Sequence, residues 1–414
     1  MTRRMILAAV SLSFAGTASA ETLRDAIVAA YATNPQLAAA QARQEALAET
    51  PDQARALGRL TAEANGTGGY DRQDYGKGGG GSVAASLPIW TGGRVSSAVR
   101  AASGDVAAGA ESVRDTQAAV LEQVVGAYAN LLYAQQAVEV GRADFELLDR
   151  QVAEAQARFK LGQATRTDVA QLEAQRDSAV STLADAEGAA AAISATYRAT
   201  VGHNPGALDT TLAVPATLPG TIDIAIARAL ESNPLVRQQR YAARADAARI
   251  DQQRAERNPF VGLGGTYGYA AGAGRSDNAN TAVAGVTLRV PLLTGGLISS
   301  RVRQAEATYR ADRFAVDAAE RDATRSAETA WAMLAAAQGR AQANARRVEA
   351  AELALKGVRA EYAFSLRTTL DILIADESLR AAQLALARSR SDILINQAAL
   401  LRATGGLDLG AYNQ

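Results

Sequence analysis

The sequence predicts a mainly α-helical fold with a small β part, arranged as two similar halves. Three observations predict it. Leu87-Pro88-Ile89-Trp90-Thr91-Gly92-Gly93-Arg94 returns as Val290-Pro291-Leu292-Leu293-Thr294-Gly295-Gly296-Leu297. Each copy is followed by a long stretch without proline, from Pro88 to Pro205 and from Pro291 to the end. Each is preceded by two short segments that alternate apolar and polar residues instead of following a helical period. A repeat of roughly two hundred residues is far longer than a solenoid unit of about 20 to 50, so each half is a whole substructure.

Residues 1–20 read as an export signal: Arg3 and Arg4 supply positive charge, a short apolar run follows, and Ala18-Ser19-Ala20 ends it as a cleavage motif. The run is too short to span a bilayer, which takes about 20 residues. The mature chain is expected to begin at Glu21, with the first half over 21–214 and the second over 215–414. No cysteine occurs, so disulfides and thiol chemistry are excluded, and no acylated cysteine follows the signal. Lys plus Arg and Asp plus Glu are equal at 43 each, which leaves no basic footprint for nucleic acid. One histidine and three methionines give little material for a soft metal site, and neither cofactor nor metal is expected. His203, in Val201-Gly202-His203-Asn204-Pro205, is expected to be a solvated turn residue.

Each half opens with a short helix, Leu23–Thr33 and 223–232, that stops at Asn-Pro. Proline restricts the residue before it and lacks an N–H, so one helix ends there and another starts on the proline itself. The strands follow, near 60–90 and 259–291. Ala62, Ala64, Gly66, Gly68 and Tyr70 alternate with polar residues, as do Val83, Ala85, Leu87 and Ile89. The second half repeats this with Val261, Leu263, Gly265, Tyr267 and Tyr269, then Ala284, Val286, Leu288 and Val290. At about ten residues each, these strands have the length that crosses a bilayer when tilted. The glycine-rich segments 71–81 and 271–280 lead into strands and not into helix N-termini, which favours hairpin loops over phosphate cradles.

The proline-free stretches predict rods over 95–159 and 298–362, each about 100 Å long at 1.5 Å per residue. In the first, Val124, Leu131, Val138, Phe145, Val152 and Phe159 recur every seven residues, with Val120, Ala127, Ala134, Gly141, Leu148 and Ala155 as the companion line. This is a coiled-coil seam with one bulky and one small edge. Breaks at Leu161-Gly162-Gln163 and Phe364-Ser365-Leu366 precede returning helices that start near Thr167 and Leu370. So tight a reversal makes each return the antiparallel neighbour of its rod. Residues 205–219, rich in Pro and Gly, link the halves. The two halves are offset by 199 residues at Asn-Pro and by 203 at Phe159/Tyr362, so any insertion lies between those landmarks, where the hairpin loops are placed.

Four strands do not close a membrane barrel, since the smallest have about eight. An open edge in hydrocarbon would leave N–H and C=O groups unpaired at several kcal/mol each. Strands of this kind in a membrane therefore require several copies of the chain to share one barrel, continued by the rods into a tube.

The order of elements, the paired Pro-x-x-Thr-Gly-Gly motifs, Arg158-Phe159-Lys160-Leu161-Gly162 with Thr167-Asp168-Val169, Thr369-Leu370-Asp371-Ile372-Leu373 and Leu394-Ile395-Asn396-Gln397 resemble the TolC-like outer-membrane efflux proteins. The resemblance covers essentially the whole mature chain. It implies a homotrimer whose twelve strands form one barrel in the Gram-negative outer membrane and whose antiparallel coiled-coil helices form a periplasmic α-barrel. It further implies a passive channel of a tripartite efflux pump or type I secretion system, working with a periplasmic adaptor and an inner-membrane transporter and performing no covalent chemistry. By the same resemblance Thr167, Asp168, Tyr362 and Arg367 form a periplasmic gate and Asp371 an acidic ring at the entrance. A second acidic residue often found in that ring is replaced by Ile374. Gly162 and Ser365 fall at the hairpin tips where relatives meet their adaptors, Ser365 standing where a glycine is frequent.

On local chemistry alone, Thr167 and Asp168 also suit helix capping. An exported coiled-coil protein of the envelope that is not a channel is the competing whole-chain reading; a hydrolytic enzyme lacks the residues for a Ser/His/Asp or metal constellation.

Overall fold

A computed structural model describes residues 20–71, 76–210, 215, 217–272, 279–364 and 366–412. The expected export signal before Ala20 lies outside the described residues, as does Ser365. The first half runs α1 (Leu23–Thr33), α2 (Pro35–Ala48), α3 (Thr50–Ala56), β1 (Thr61–Asp71), β2 (Gly76–Trp90), α4 (Arg94–Lys160) and α5 (Arg166–Val201). The second runs α6 (Ile222–Ser232), α7 (Pro234–Ala255), β3 (Phe260–Gly272), β4 (Ala279–Arg289), α8 (Leu297–Ala363) and α9 (Thr369–Ala403).

The two Asn-Pro junctions work alike. Asn34 Oδ1 accepts from the Gln36 and Leu37 amides at 2.8 and 3.3 Å, and Asn233 Oδ1 from those of Leu235 and Val236 at 2.9 and 3.4 Å. Each asparagine thus closes one helix and caps the next, with proline at the first position where no N–H is needed. The halves differ just beyond. Pro51 interrupts the first and divides α2 from α3, whereas α7 continues unbroken for 22 residues.

The sheet has the order β1-β2-β3-β4, antiparallel throughout. Pairs such as Ala64↔Val83, Val83↔Tyr267, Leu87↔Leu263 and Leu263↔Val286 place the alternating apolar residues of all four strands on one face. Glu63, Asn65, Ser82, Thr266, Thr281 and Thr287 share the other. Val286 and Leu288 are 67% and 65% exposed, so nothing among the described residues covers the apolar face there. A register shift between Pro88 and Trp90 leaves Ile89 unpaired and brings Trp90 opposite Val261, so the simple alternation expected through Ile89 slips by one residue.

The hairpin loops are shorter than the sequence suggested. Gly78 to Gly81, expected in a loop, lie in β2 between β1 and β3. The physical reason is close approach: a Cβ on Gly80 would sit 2.9 Å from the Tyr269 carbonyl oxygen, so a side chain there would push the strands apart. Four residues separate the paired Asp71 and Gly76, and eight separate the equivalent pair Ala270 and Ala279. The difference in offset between the halves is accounted for there.

At the joint of sheet and rod, Gly92 and Gly93 have φ of 65° and 92°, and Gly295 and Gly296 of 59° and 82°. Two successive left-handed residues turn the strand into the helix, a conformation costly for side chains with a Cβ. A Cβ on Gly92 would also stand 2.6 Å from Asn258 Cβ. The positive φ is common to both copies and explains the repeated Gly-Gly, whereas the steric requirement holds in the first copy alone, since open space surrounds Gly295 and Gly296.

The rods α4 and α8 are 67 residues each and pack antiparallel against α5 and α9. Along α4 the small line is buried at Val120, Ala127, Ala134, Leu148 and Ala155. The bulky line is buried at Val124, Leu131 and Val152 but ends on Phe159, which is 46% exposed near the tip. The largest core joins α1, α4, α5 and α9 around Ile27, Leu121, Tyr128, Leu131, Tyr197 and Leu401.

The linker is tied to the start of the chain. Glu21 N donates to Ala207 O at 2.7 Å and Asp209 N to Glu21 O at 2.9 Å. The Glu21 carboxylate receives the Tyr197 hydroxyl at 2.6 Å and the Gly206 amide at 3.3 Å, and burial pushes the Tyr197 hydroxyl well above the usual phenol range. His203 is exposed in the bend after α5, as expected of a solvated turn residue, and also has partners there: Nδ1 lies 2.9 Å from Asn204 O and Nε2 3.3 Å from Glu21 Oε1.

Candidate gate at the helix-hairpin ends

Both returning helices begin with the same device. Thr165 caps α5: its hydroxyl accepts from the Asp168 amide at 3.1 Å, and Asp168 Oδ2 accepts from the Thr165 amide and hydroxyl at 3.0 and 2.8 Å. Thr368 and Asp371 do the same for α9 at 3.3, 2.8 and 2.8 Å. Each is a reciprocal capping box that satisfies two orphan amides and sets a carboxylate at the positive end of the helix. The bonds from Thr165 hold the Asp168 carboxyl below its usual range, and those from Thr368, with a contribution from Arg367, hold that of Asp371 below it.

The cap of α5 is therefore Thr165. Thr167 lies inside the first turn, exposed, and no hydrogen bond joins it to the second half among the described residues. Thr165-x-x-Asp168 and Thr368-x-x-Asp371 were readable as capping boxes; the competing Thr167-Asp168 pair obscured the first.

The other expected gate residues divide. Tyr362 is half-buried between the hairpins: its hydroxyl accepts from Arg158 Nη1 at 3.2 Å and from Thr369 Oγ1 at 3.5 Å. Asp168 and Tyr362 line one groove of about 210 Å³ together with Glu154, Arg158, Gln163 and Thr369, although no bond links the two directly among the described residues. Arg367 lies apart from that groove. Its Nε donates to Glu361 Oε2 at 2.7 Å and its Nη1 stands 4.0 Å from Asp371 Oδ1. Asp371 is thus engaged within its own hairpin, and Ile374, one turn on, is 57% exposed. Gly162, at the first tip, has φ of 73° and open space around it, so the turn depends on glycine for its backbone and not for clearance.

Farther along the helices from this end lies a charge cluster that sequence reading missed. Asp144 on α4 pairs with Arg380 Nη1 on α9; Arg380 Nε is 3.2 Å from Asp376 Oδ2, and Arg359 Nη2 on α8 is 3.5 Å from Asp376 Oδ1. Asp144 and Asp376 are each 7% exposed. Burial pushes the Asp376 carboxyl up, and Arg359 opposes this. The spacing of Asp376 and Arg380 was visible as an i,i+4 pair, but nothing local indicates Asp144 as partner.

Comparison with known proteins identifies the family. The sequence pattern described as outer membrane efflux protein matches residues 26–203 and 225–406. The chain is 32% identical over 417 residues to the outer membrane efflux protein BepC of Brucella suis, covering 97% of this chain and 90% of that one. It is 26% identical over 433 residues to the outer membrane protein TolC of Escherichia coli, covering 99% and 88%. Among solved structures, the outer membrane protein VceC of Vibrio cholerae superposes with a TM-score of 0.75 at 23% identity, covering 93% of this chain and 96% of that one. Open sheet, paired rods and double family match converge, and the chain belongs to the outer membrane efflux protein family, as a channel of the Gram-negative outer membrane.

Proposed function

We propose that three copies of this chain close one twelve-stranded barrel and continue it into a periplasmic helical tunnel, through which substrates delivered by an inner-membrane transporter and a periplasmic adaptor pass outward. The observation that carries this reading is the sheet: four strands, one uncovered apolar face, and β1 and β4 each paired on one side only. Neighbouring copies supply the missing pairing, and the face bearing Glu63, Asn65 and Thr266 lines water. Energy comes from the transporter, and the chain itself carries out no covalent chemistry. The exported, non-channel coiled coil is disfavoured, since it leaves the apolar sheet face without a role.

In this reading Thr167, Asp168, Tyr362 and Arg367 keep the periplasmic end closed, and Gly162 and Ser365 are the tips that meet the adaptor. Asp371 contributes a weak electrostatic filter at the entrance, because its carboxylate is already committed to Thr368 and stands near Arg367 and because Ile374 adds no charge. Reconstituted trimers conduct ions in planar bilayers, and Tyr362→Phe combined with Arg367→Ser raises single-channel conductance. Unaltered conductance in the double variant would remove the gate assignment.

A further inference from the structure

The duplication gives the residue before Phe159 and the residue before Tyr362 equivalent places, yet one is Arg158 and the other Glu361. Their side chains do different things. Glu361 binds Arg367 at 2.7 Å within the second hairpin. Arg158 reaches across the halves: Nη2 is held by Glu154 Oε1 at 2.5 Å, one turn back on α4, and Nη1 donates to the Tyr362 hydroxyl at 3.2 Å on α8. The planar guanidinium serves both partners at once, one nitrogen to each, and its own-helix carboxylate fixes the direction of the other. Thr369 Oγ1 extends the chain of bonds to α9 at 3.5 Å.

We propose that Arg158 is the positioning residue that holds Tyr362 in the closed gate, and that Arg367 acts on a separate branch through Glu361. The proposal rests on the gate reading above and deepens it. Glu154, Arg158, Tyr362 and Thr369 form one line from the first rod to the second returning helix. Arg367 reaches Glu361 and approaches Asp371, both on its own hairpin, so its removal loosens the second tip without cutting that line. All these groups are exposed or half-buried, and bonds of that strength release readily. A latch of surface strength biases closed over open by about two-fold, and three around an axis by about ten-fold.

The test is a double-mutant cycle on single-channel conductance and open probability in planar bilayers, with each variant first shown to keep its oligomeric mass in mild detergent. Arg158→Gln is expected to match Tyr362→Phe, and the pair together to go no further than either alone. Arg367→Ser added to Arg158→Gln is expected to open the channel beyond either single change. If Tyr362→Phe opens the channel while Arg158→Gln leaves it closed, or if the two effects add, the positioning role is overturned and the gate survives. If neither Tyr362→Phe nor Arg158→Gln alters conductance, the gate reading falls and this assignment falls with it.

Discussion

Arg380 joins two buried carboxylates on different helices. It is 18% exposed at its side chain and lies between Asp144 and Asp376, which are themselves buried. Removing one partner from such a group leaves a charge in a poorly solvated place, whereas the exposed pairs at the tips are worth little each. Arg380→Met is therefore expected to cost about 3 to 5 kcal/mol, read from the unfolding midpoint in detergent, with part of the loss recovered when Asp144→Leu is added. A loss under about 1 kcal/mol would place Arg380 with the surface pairs. The contrast with Arg158 and Tyr362 is one of burial. The same chemistry fixes the hairpins together where water is excluded and joins them reversibly where it is not.

At the scale of elements, the starts of α5 and α9 are set by aspartates that titrate. Bonds to the ionised form depress Asp168 and Asp371 below the ordinary carboxylate value. Depressed acids stabilise the folded form fully above the unfolded pKa of about 3.9, and that contribution disappears as pH falls through the lower folded value. Amide exchange in the first turns of α5 and α9 is expected to accelerate relative to the helix middles as pH is taken from about 6 to about 2. Protection that holds at the low end would show that the carboxylates do not maintain the caps. These elements were largely legible in the sequence because their signals are local: Asn-Pro junctions, seven-residue spacing, alternation in the strands, Thr-Gly-Gly at the joints. What was illegible depended on distant neighbours. The strand identity of Gly78 to Gly81 is set by Tyr269 and its neighbours on β3, and the pairing of Asp144 by a residue far along the chain.

For the whole molecule, duplication and incompleteness belong together. Each half contributes one hairpin and one coiled-coil pair, and the central β2–β3 pairing joins them into a single sheet. The halves are not interchangeable, since Pro51 breaks one helix, the second hairpin has four more residues between its paired strand ends, and Arg158 in one half corresponds to Glu361 in the other. Alike in frame and different at the tips, they give the proposed ring of three protomers six hairpin ends of two kinds. The sheet still has two open edges, which are untenable for a lone protomer in a bilayer, while its bare apolar face suits lipid and not water. The most direct measurement is the mass of the purified, folded protein in mild detergent, corrected for bound detergent. Three times the protomer mass, in particles that conduct ions once reconstituted, is the expected result; a folded monomer with its sheet intact would contradict the shared barrel.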